Sequence, residues 1–162
     1  MSAEDWSERF LTHYIAGAWR TPLSEVMCPT HHAGASVVLA GRADLERARQ
    51  AAMTAAQEWR ARGAAARQTA LDALGVAEAG AETGGPVLLS CSGRTAPDTR
   101  ALGLLAAGDP VIVLGQTADP EPAFRFLAAC HAARLPAGVV ALLYAQDHAD
   151  VAASTGLPLF CA

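Results

Sequence analysis

Lysine and asparagine are absent from the 162 residues, and all 12 basic side chains are arginine. Chemistry that needs a lysine amine, such as a Schiff base or a P-loop phosphate contact, is therefore excluded, and so is any role for an asparagine amide. Long apolar runs are lacking too. None approaches the roughly 20 residues that cross a bilayer, and residues 1–10 are too acidic and polar to read as a secretory leader. Positive charge is not in excess, since the formal charge is −4, which leaves no electrostatic footprint for nucleic acid. The four cysteines form no Cys-x-x-Cys pair, as expected of reduced thiols in a cytoplasmic protein and not of a disulfide framework.

What is present suffices for one modest domain with a real core, because 52% of the residues are hydrophobic. Residues 13–20 (HYIAGAWR) and 37–40 read as two short strands joined by a Pro/His loop at 28–33, so that 1–42 forms a small extended β appendage. Leu45, Ala48, Ala52, Ala55, Ala56 and Trp59 recur at helical spacing, and Asp44 lies where a carboxylate suits the helix dipole, which predicts a helix over 43–61. A second helix over 64–79 ends in a flexible glycine-rich break at 80–85, so this helical pair occupies 43–85.

From residue 86 the pattern changes to short apolar runs at 86–90, 110–114, 138–144 and 157–161, separated by helical stretches at 98–107, 122–134 and 147–155. Continuous apolar strands alternating with helices predict a parallel sheet covered on both faces. The expected fold class is α/β: a Rossmann-like half-sheet of about four parallel strands over 86–162, preceded by the β appendage and two helices, in one compact domain.

Candidate reactive residues are few. Cys91 follows a buried strand and precedes a helix start, where amide N–H groups lower a thiol pKa; its alternative is a small buried filler, the ordinary role of a free cysteine. Cys161, in an apolar strand, reads as core. Cys28, His31 and His32, with Cys130 and His131 elsewhere, have partial metal-ligand spacing, but structural zinc needs four ligands, usually from two tidy pairs, so no metal site is expected. No Gly-x-Gly-x-x-Gly follows the strand ending at Ser90, which removes the usual backbone cradle for a pyrophosphate. Arg47, Arg49, Arg60 and Arg62 read as the solvated face of the first helix.

Five segments, taken in order, resemble the N-terminal half of the aldehyde dehydrogenase superfamily. HYIAGAWR resembles its Tyr-Ile-Gly-Gly-x-Trp entry strand, and VMCPTHHAGASVV its Val-x-Asn-Pro-x-x-Gly-x-x-Ile segment. RADLERARQAAMTAAQEWRARGAAAR resembles the Trp-bearing helix and its Arg-bearing successor. LLAAGDPVIVL resembles Ala-Leu-Ala-Ala-Gly-Asn-Thr-Val-Val-Leu, and ARLPAGVVALLYA resembles Ala-Gly-Leu-Pro-Pro-Gly-Val-Val-Asn-Val-Val-Thr-Gly. The resemblance implies a cofactor-domain sheet up to its fourth strand.

The departures are as informative. Counted back from Gly108, the family's Trp-Asn-Phe-Pro motif falls on Ser90, Cys91, Ser92 and Gly93, so Cys91 replaces the Asn that helps to stabilise the oxyanion. Counted forward, Lys-Pro-Ser-Glu falls on Leu114, Gly115, Gln116 and Thr117, so Leu114 and Thr117 replace the Lys and Glu that hold the adenosine ribose. Tyr144 and Ala145 stand where the family has Thr-Gly. The general-base Glu and nucleophilic Cys find no match in these residues.

The resemblance with these departures leads to three expectations. The first is a non-catalytic protein, a pseudoenzyme with no catalytic or metal-binding residues and weak or lost NAD binding, acting as a structural, assembly or regulatory partner. Its partner would be a second copy or a larger enzyme such as an aldehyde dehydrogenase, with neither nucleic acid nor membrane involved. The second is a nucleotide-binding subunit of an NAD(P)-dependent oxidoreductase with a separate catalytic chain. The third is a small independent ligand-binding module.

Overall fold

A computed structural model describes residues 8–75, 77–91 and 97–162. The segment 13–20 folds back on itself. Ala16 and Gly17 both take positive φ (52° and 78°), as a two-residue primed turn requires, and β1 (His13–Ile15) and β2 (Ala18–Arg20) form a hairpin. β3 (Met27–Pro29) and β4 (Ser36–Val38) pair antiparallel as a separate two-stranded sheet. The expectation of one strand over 13–20 reaching a second through a 28–33 loop is thus corrected: the central glycine turns the chain, and Cys28 and Pro29 lie in the strand that pairs with Val37.

Helix α1 (Arg42–Ala61) buries the stripe Ala48, Ala52, Ala55, Ala56 and Trp59. Its start is fixed by Asp44, whose buried carboxylate accepts N–H groups from Gly41 (3.1 Å), Leu23 (2.8 Å) and Ser24 (3.2 Å). α2 (Gly63–Leu71) stops well short of residue 79, because the chain turns at 72–74, and residues 77–83 lie outside any helix, with Gly80 against the next helix. That segment is held in place. Gly80 N–H bonds the Gly103 carbonyl (3.3 Å), Thr83 N–H bonds Asp109 (2.7 Å), and Arg60 donates to the Gly84 carbonyl (2.8 Å). Arg60 also pairs with buried Asp109 at 2.6 Å, so it leaves the solvated face on which the sequence placed it.

The second half alternates as expected: β5 (Val87–Ser90), α3 (Asp98–Ala107), β6 (Val111–Gly115), α4 (Glu121–Ala132), β7 (Val140–Tyr144), α5 (His148–Thr155) and β8 (Leu159–Cys161). β5 to β8 are mutually parallel in the order β7-β6-β5-β8, and the β1–β2 hairpin joins antiparallel beside β7 through Tyr14 and Leu142, giving a six-stranded sheet. The hairpin is therefore part of the main sheet. Successive strand residues point to opposite faces. Leu89, Val113 and Leu142 meet Leu105 of α3, Phe124 and Leu127 of α4 and Trp59 of α1, whereas Leu88, Ile112, Leu114 and Leu143 meet Ala48 and Ala52 of α1 and Val151 of α5. Arg67 of α2, buried, donates to the Ala106 carbonyl (3.0 Å) and thereby serves the last turn of α3. Cys161, expected in the core, is exposed, since β8 is an edge strand with β5 as its neighbour. No helix among the described residues is long and apolar enough to cross a membrane.

Candidate functional site

The parallel register aligns the carboxyl ends of the strands. Ser90 lies beside Leu114 and Cys161, Leu114 beside Leu143, and Gly115 beside Tyr144. The helices after β5 and β6 cover one face and the helix after β7 covers the other, so the winding reverses between β5 and β8. In open α/β sheets ligands bind at such a switch point, outside the carboxyl ends of the strands. Ser90, Cys91 and Cys161 stand there.

The residues singled out in the sequence reach this rim but do not converge. Leu114 is fully buried on the α1/α5 face, while Cys91 is buried on the α3/α4 face with Tyr144. Gly115 packs against the Tyr144 ring so closely that an added Cβ would lie 2.7 Å from Cε1. Gln116 and Thr117, half-buried, lead the chain out of the strand, and Ser92 and Gly93 fall outside the described residues.

Cys91 does not have the activated thiol that its place before a helix suggested. Burial, with Asp98 nearby adding repulsion, pushes it up to about 12, the opposite of activation. Cys130 is likewise pushed up to about 12, by burial first and Asp98 second. The Tyr144 hydroxyl is buried without a hydrogen-bond partner among the described residues, and burial raises its pKa, with Cys91 adding to the rise. The partial metal-ligand spacings come apart in space. Cys28 receives a bond from Gln146 (3.5 Å), His32 faces Asp119 (3.5 Å), and His131 Nδ1 meets the Tyr14 hydroxyl (3.2 Å). Among the described residues no group of three or more His, Cys, Asp and Glu side chains is placed to hold a metal.

One polar pair at the switch point left no signal in the sequence. Ser90 Oγ lies 2.6 Å from His148 Nδ1, and His148 Nε2 lies 3.2 Å from the Ala145 carbonyl. With Nε2–H donating to Ala145, Nδ1 accepts a hydrogen bond from the Ser90 hydroxyl, and the pair ties α5 to β5. The partners are 58 residues apart with β6 and β7 between them, which is why no local spacing reveals them.

Burial lowers the pKa of His148, against opposing contributions from the Ala145 carbonyl, Asp147 and the Gly115 backbone. His13 is lowered too, by burial first, while the Val38 carbonyl and Asp44 oppose the shift. Both imidazoles take up protons more readily in the unfolded chain, so their stability contribution is full above the ordinary value of 6.5 and is lost as pH falls through the lowered folded values. The melting temperature is accordingly expected to decline as pH drops below 6.5. His148→Gln should make that decline shallower, and an unchanged profile in the variant would refute the assignment.

Comparison with solved structures identifies the architecture. Aldehyde dehydrogenase C from Pseudomonas syringae, in complex with NAD+ and octanal, superposes with a TM-score of 0.74 at 18% identity, covering 95% of this chain and 50% of that one. An aldehyde dehydrogenase from Bartonella henselae gives 0.71 at 15% identity, covering 93% and 51%. A 1-pyrroline-5-carboxylate dehydrogenase from Thermus thermophilus gives 0.67 at 17%, covering 88% and 40%. The fold is therefore that of an aldehyde-dehydrogenase half, Rossmann-like and mixed α/β. The chain spans about half the length of the structures it matches. No protein-family model and no curated protein matches the sequence.

Proposed function

We propose that this chain is a non-catalytic aldehyde-dehydrogenase-like protein that serves as a structural, assembly or regulatory partner of an enzyme. The burial of Leu114 carries the reading. At the position matching the family's ribose-holding Lys stands a side chain with no exposed surface, packed in the core with its neighbour Leu143. It offers a ribose hydroxyl no partner, and a buried hydroxyl left unpaired costs about 1–3 kcal/mol. Thr117, at the matching Glu, removes a second contact, and losing both weakens binding about a hundredfold or more. The Tyr144 ring fills the space beside Gly115, and Cys91 is neither an amide donor nor a thiolate near neutral pH. The residues at this rim do not fit NAD held in the family's manner.

A partner role draws support from the sheet's edge. β8 carries no charged residue, and an edge strand presents unpaired N–H and C=O groups to any neighbour. Leu23, Val26 and Met27 add exposed apolar surface. The partner is a second copy or a larger enzyme such as an aldehyde dehydrogenase. The preserved switch point favours one other reading, a nucleotide-binding subunit that works beside a separate catalytic chain.

Calorimetry and light scattering on the pure chain separate these readings. With NAD+ no saturable heat is expected at micromolar protein, and scattering is expected to report an assembly larger than a monomer or, in the native host, capture of an enzyme. A micromolar Kd for NAD+, about −8 kcal/mol, moves the conclusion to the nucleotide-binding subunit. A monodisperse monomer that captures no enzyme overturns the partner role.

A further inference from the structure

At the opposite, amino-terminal end of the sheet, a cleft of about 500 Å³ lies between the outer face of α1 and the β1–β2 hairpin. Its floor is made of small groups because the backbones approach closely there. An added Cβ on Gly138 would meet the Ala51 carbonyl carbon at 3.0 Å, and one on Gly17 would meet Ala137 at 3.2 Å. Residues 47, 50, 54 and 58 recur along one side of α1, so its polar side chains form one wall, and Arg20 stands on the other.

The charge in this cleft is unevenly compensated. Arg20 Nε donates to the Ile15 carbonyl (3.0 Å), which sets the guanidinium plane and leaves its terminal nitrogens free of any ion pair among the described residues. Arg47 has Asp44 at 3.9 Å, but that carboxylate already accepts three backbone N–H groups. Glu58, at the far end, is paired with Arg62 at 3.6 Å. The Thr54 hydroxyl donates to the Gln50 carbonyl (2.9 Å), while the Gln50 side-chain amide is unbonded among the described residues. The uncompensated charge is thus positive, in a chain whose net charge is −4.

We propose that this cleft binds a small organic carboxylate, with its head group between Arg20 and Arg47 and its apolar body on Ala51, Ala55 and Ala137. Planar guanidinium forks match a two-oxygen carboxylate, and the volume lies within the range of small-molecule sites. The small-residue floor suits an unbranched aliphatic body.

Hexanoate tests the site on the full chain, followed by amide chemical shifts. Saturable shifts are expected at Ala16, Ala51, Thr54 and Ala137, with none from hexanamide or hexylammonium. Arg20→Gln and Arg47→Gln should each weaken hexanoate about tenfold or more. Arg49→Gln, a charge loss on the same helix outside the cleft, should leave the affinity unchanged, and thermal melts establish that each variant is folded. Absence of saturable shifts at millimolar hexanoate overturns the proposal, as does equal binding of hexanamide or unchanged affinity in folded Arg20→Gln.

Discussion

Asp44→Ala is expected to remove about 3–5 kcal/mol of stability, a large part of the roughly 5–15 kcal/mol that holds an ordinary domain together. The Asp44 side chain is fully buried, and its two oxygens accept the amides of Leu23, Ser24 and Gly41. Without it those donors lose their acceptors, and each one left unsatisfied costs about 1–3 kcal/mol, less whatever water recovers at the half-buried loop. His13 Nδ1, 3.9 Å away and without another partner among the described residues, loses its favourable neighbour as well. Because α1 covers one face of the sheet and begins at this carboxylate, the loss is felt globally. For a chain of this size it amounts to a fall of about 10 °C in melting temperature. Asp44→Asn keeps one acceptor oxygen and should fall between. Urea unfolding decides the matter: a loss below about 1 kcal/mol would mean that the 21–24 loop satisfies its amides without the carboxylate.

The contrast between what the sequence tells of Asp44 and what it hides runs through the molecule. Its place in the first turn of α1 is legible, because a helix start leaves free N–H groups and favours an acid. Its two loop partners, some twenty residues upstream, are not, since nothing local couples Leu23 to a helix that begins at Arg42. Elements built on periodicity are readable for the same reason that they are stable: α3 spans 98–107 as its pattern dictates, and the four apolar runs become the four parallel strands. The hairpin at 13–20 is missed because a glycine amid β-formers fits a strand interior as well as a turn, and the positive φ of its neighbour Ala16 has no sequence signature. Asp109, Arg60 and Arg67 look like surface charges in one dimension, and only the packing of α1, α2 and α3 together reveals Asp109 and Arg67 as buried ties, with half-buried Arg60 as the partner of Asp109.

The candidate site divides along the same line. Cys91, Leu114, Gly115, Gln116 and Thr117 are singled out by resemblance, and the sheet register sets Leu114 beside Ser90 and Gly115 beside Tyr144 at one end of the sheet. Their environment depends on what covers each face, which no motif reports. Thus Leu114 sinks into the core, and the thiol of Cys91, expected to be lowered by a helix start, is raised by desolvation. Ser90 and His148 meet through folding alone.

Gly138→Ala is expected to be the most disruptive glycine-to-alanine change among the described residues, at about 2–5 kcal/mol. Gly138 sits in the LPAGVV segment just before β7, with φ at +85°. An alanine there first bears the conformational penalty of the left-handed region, about 1–2 kcal/mol. Its methyl then points at α1, inside contact distance of the Ala51 carbonyl oxygen, 3.0 Å from the carbonyl carbon and 3.0 Å from Ala55 Cβ. Those groups are helix backbone and a rigid methyl, so no flexible side chain can swing aside. Either α1 lifts from the sheet, loosening Ala48 and Ala52 from Leu114 and Leu143, or the entry to β7 shifts. Overpacking of this kind costs about 1–3 kcal/mol more. Gly34→Ala separates the two contributions, because Gly34 has nearly the same φ, +76°, but nothing within 4 Å of an added Cβ. That control should lose only the conformational part, about 1–2 kcal/mol. Equal losses in the two variants, measured by urea unfolding under one set of conditions, would show that α1 and the β7 entry do not touch as closely as this packing requires.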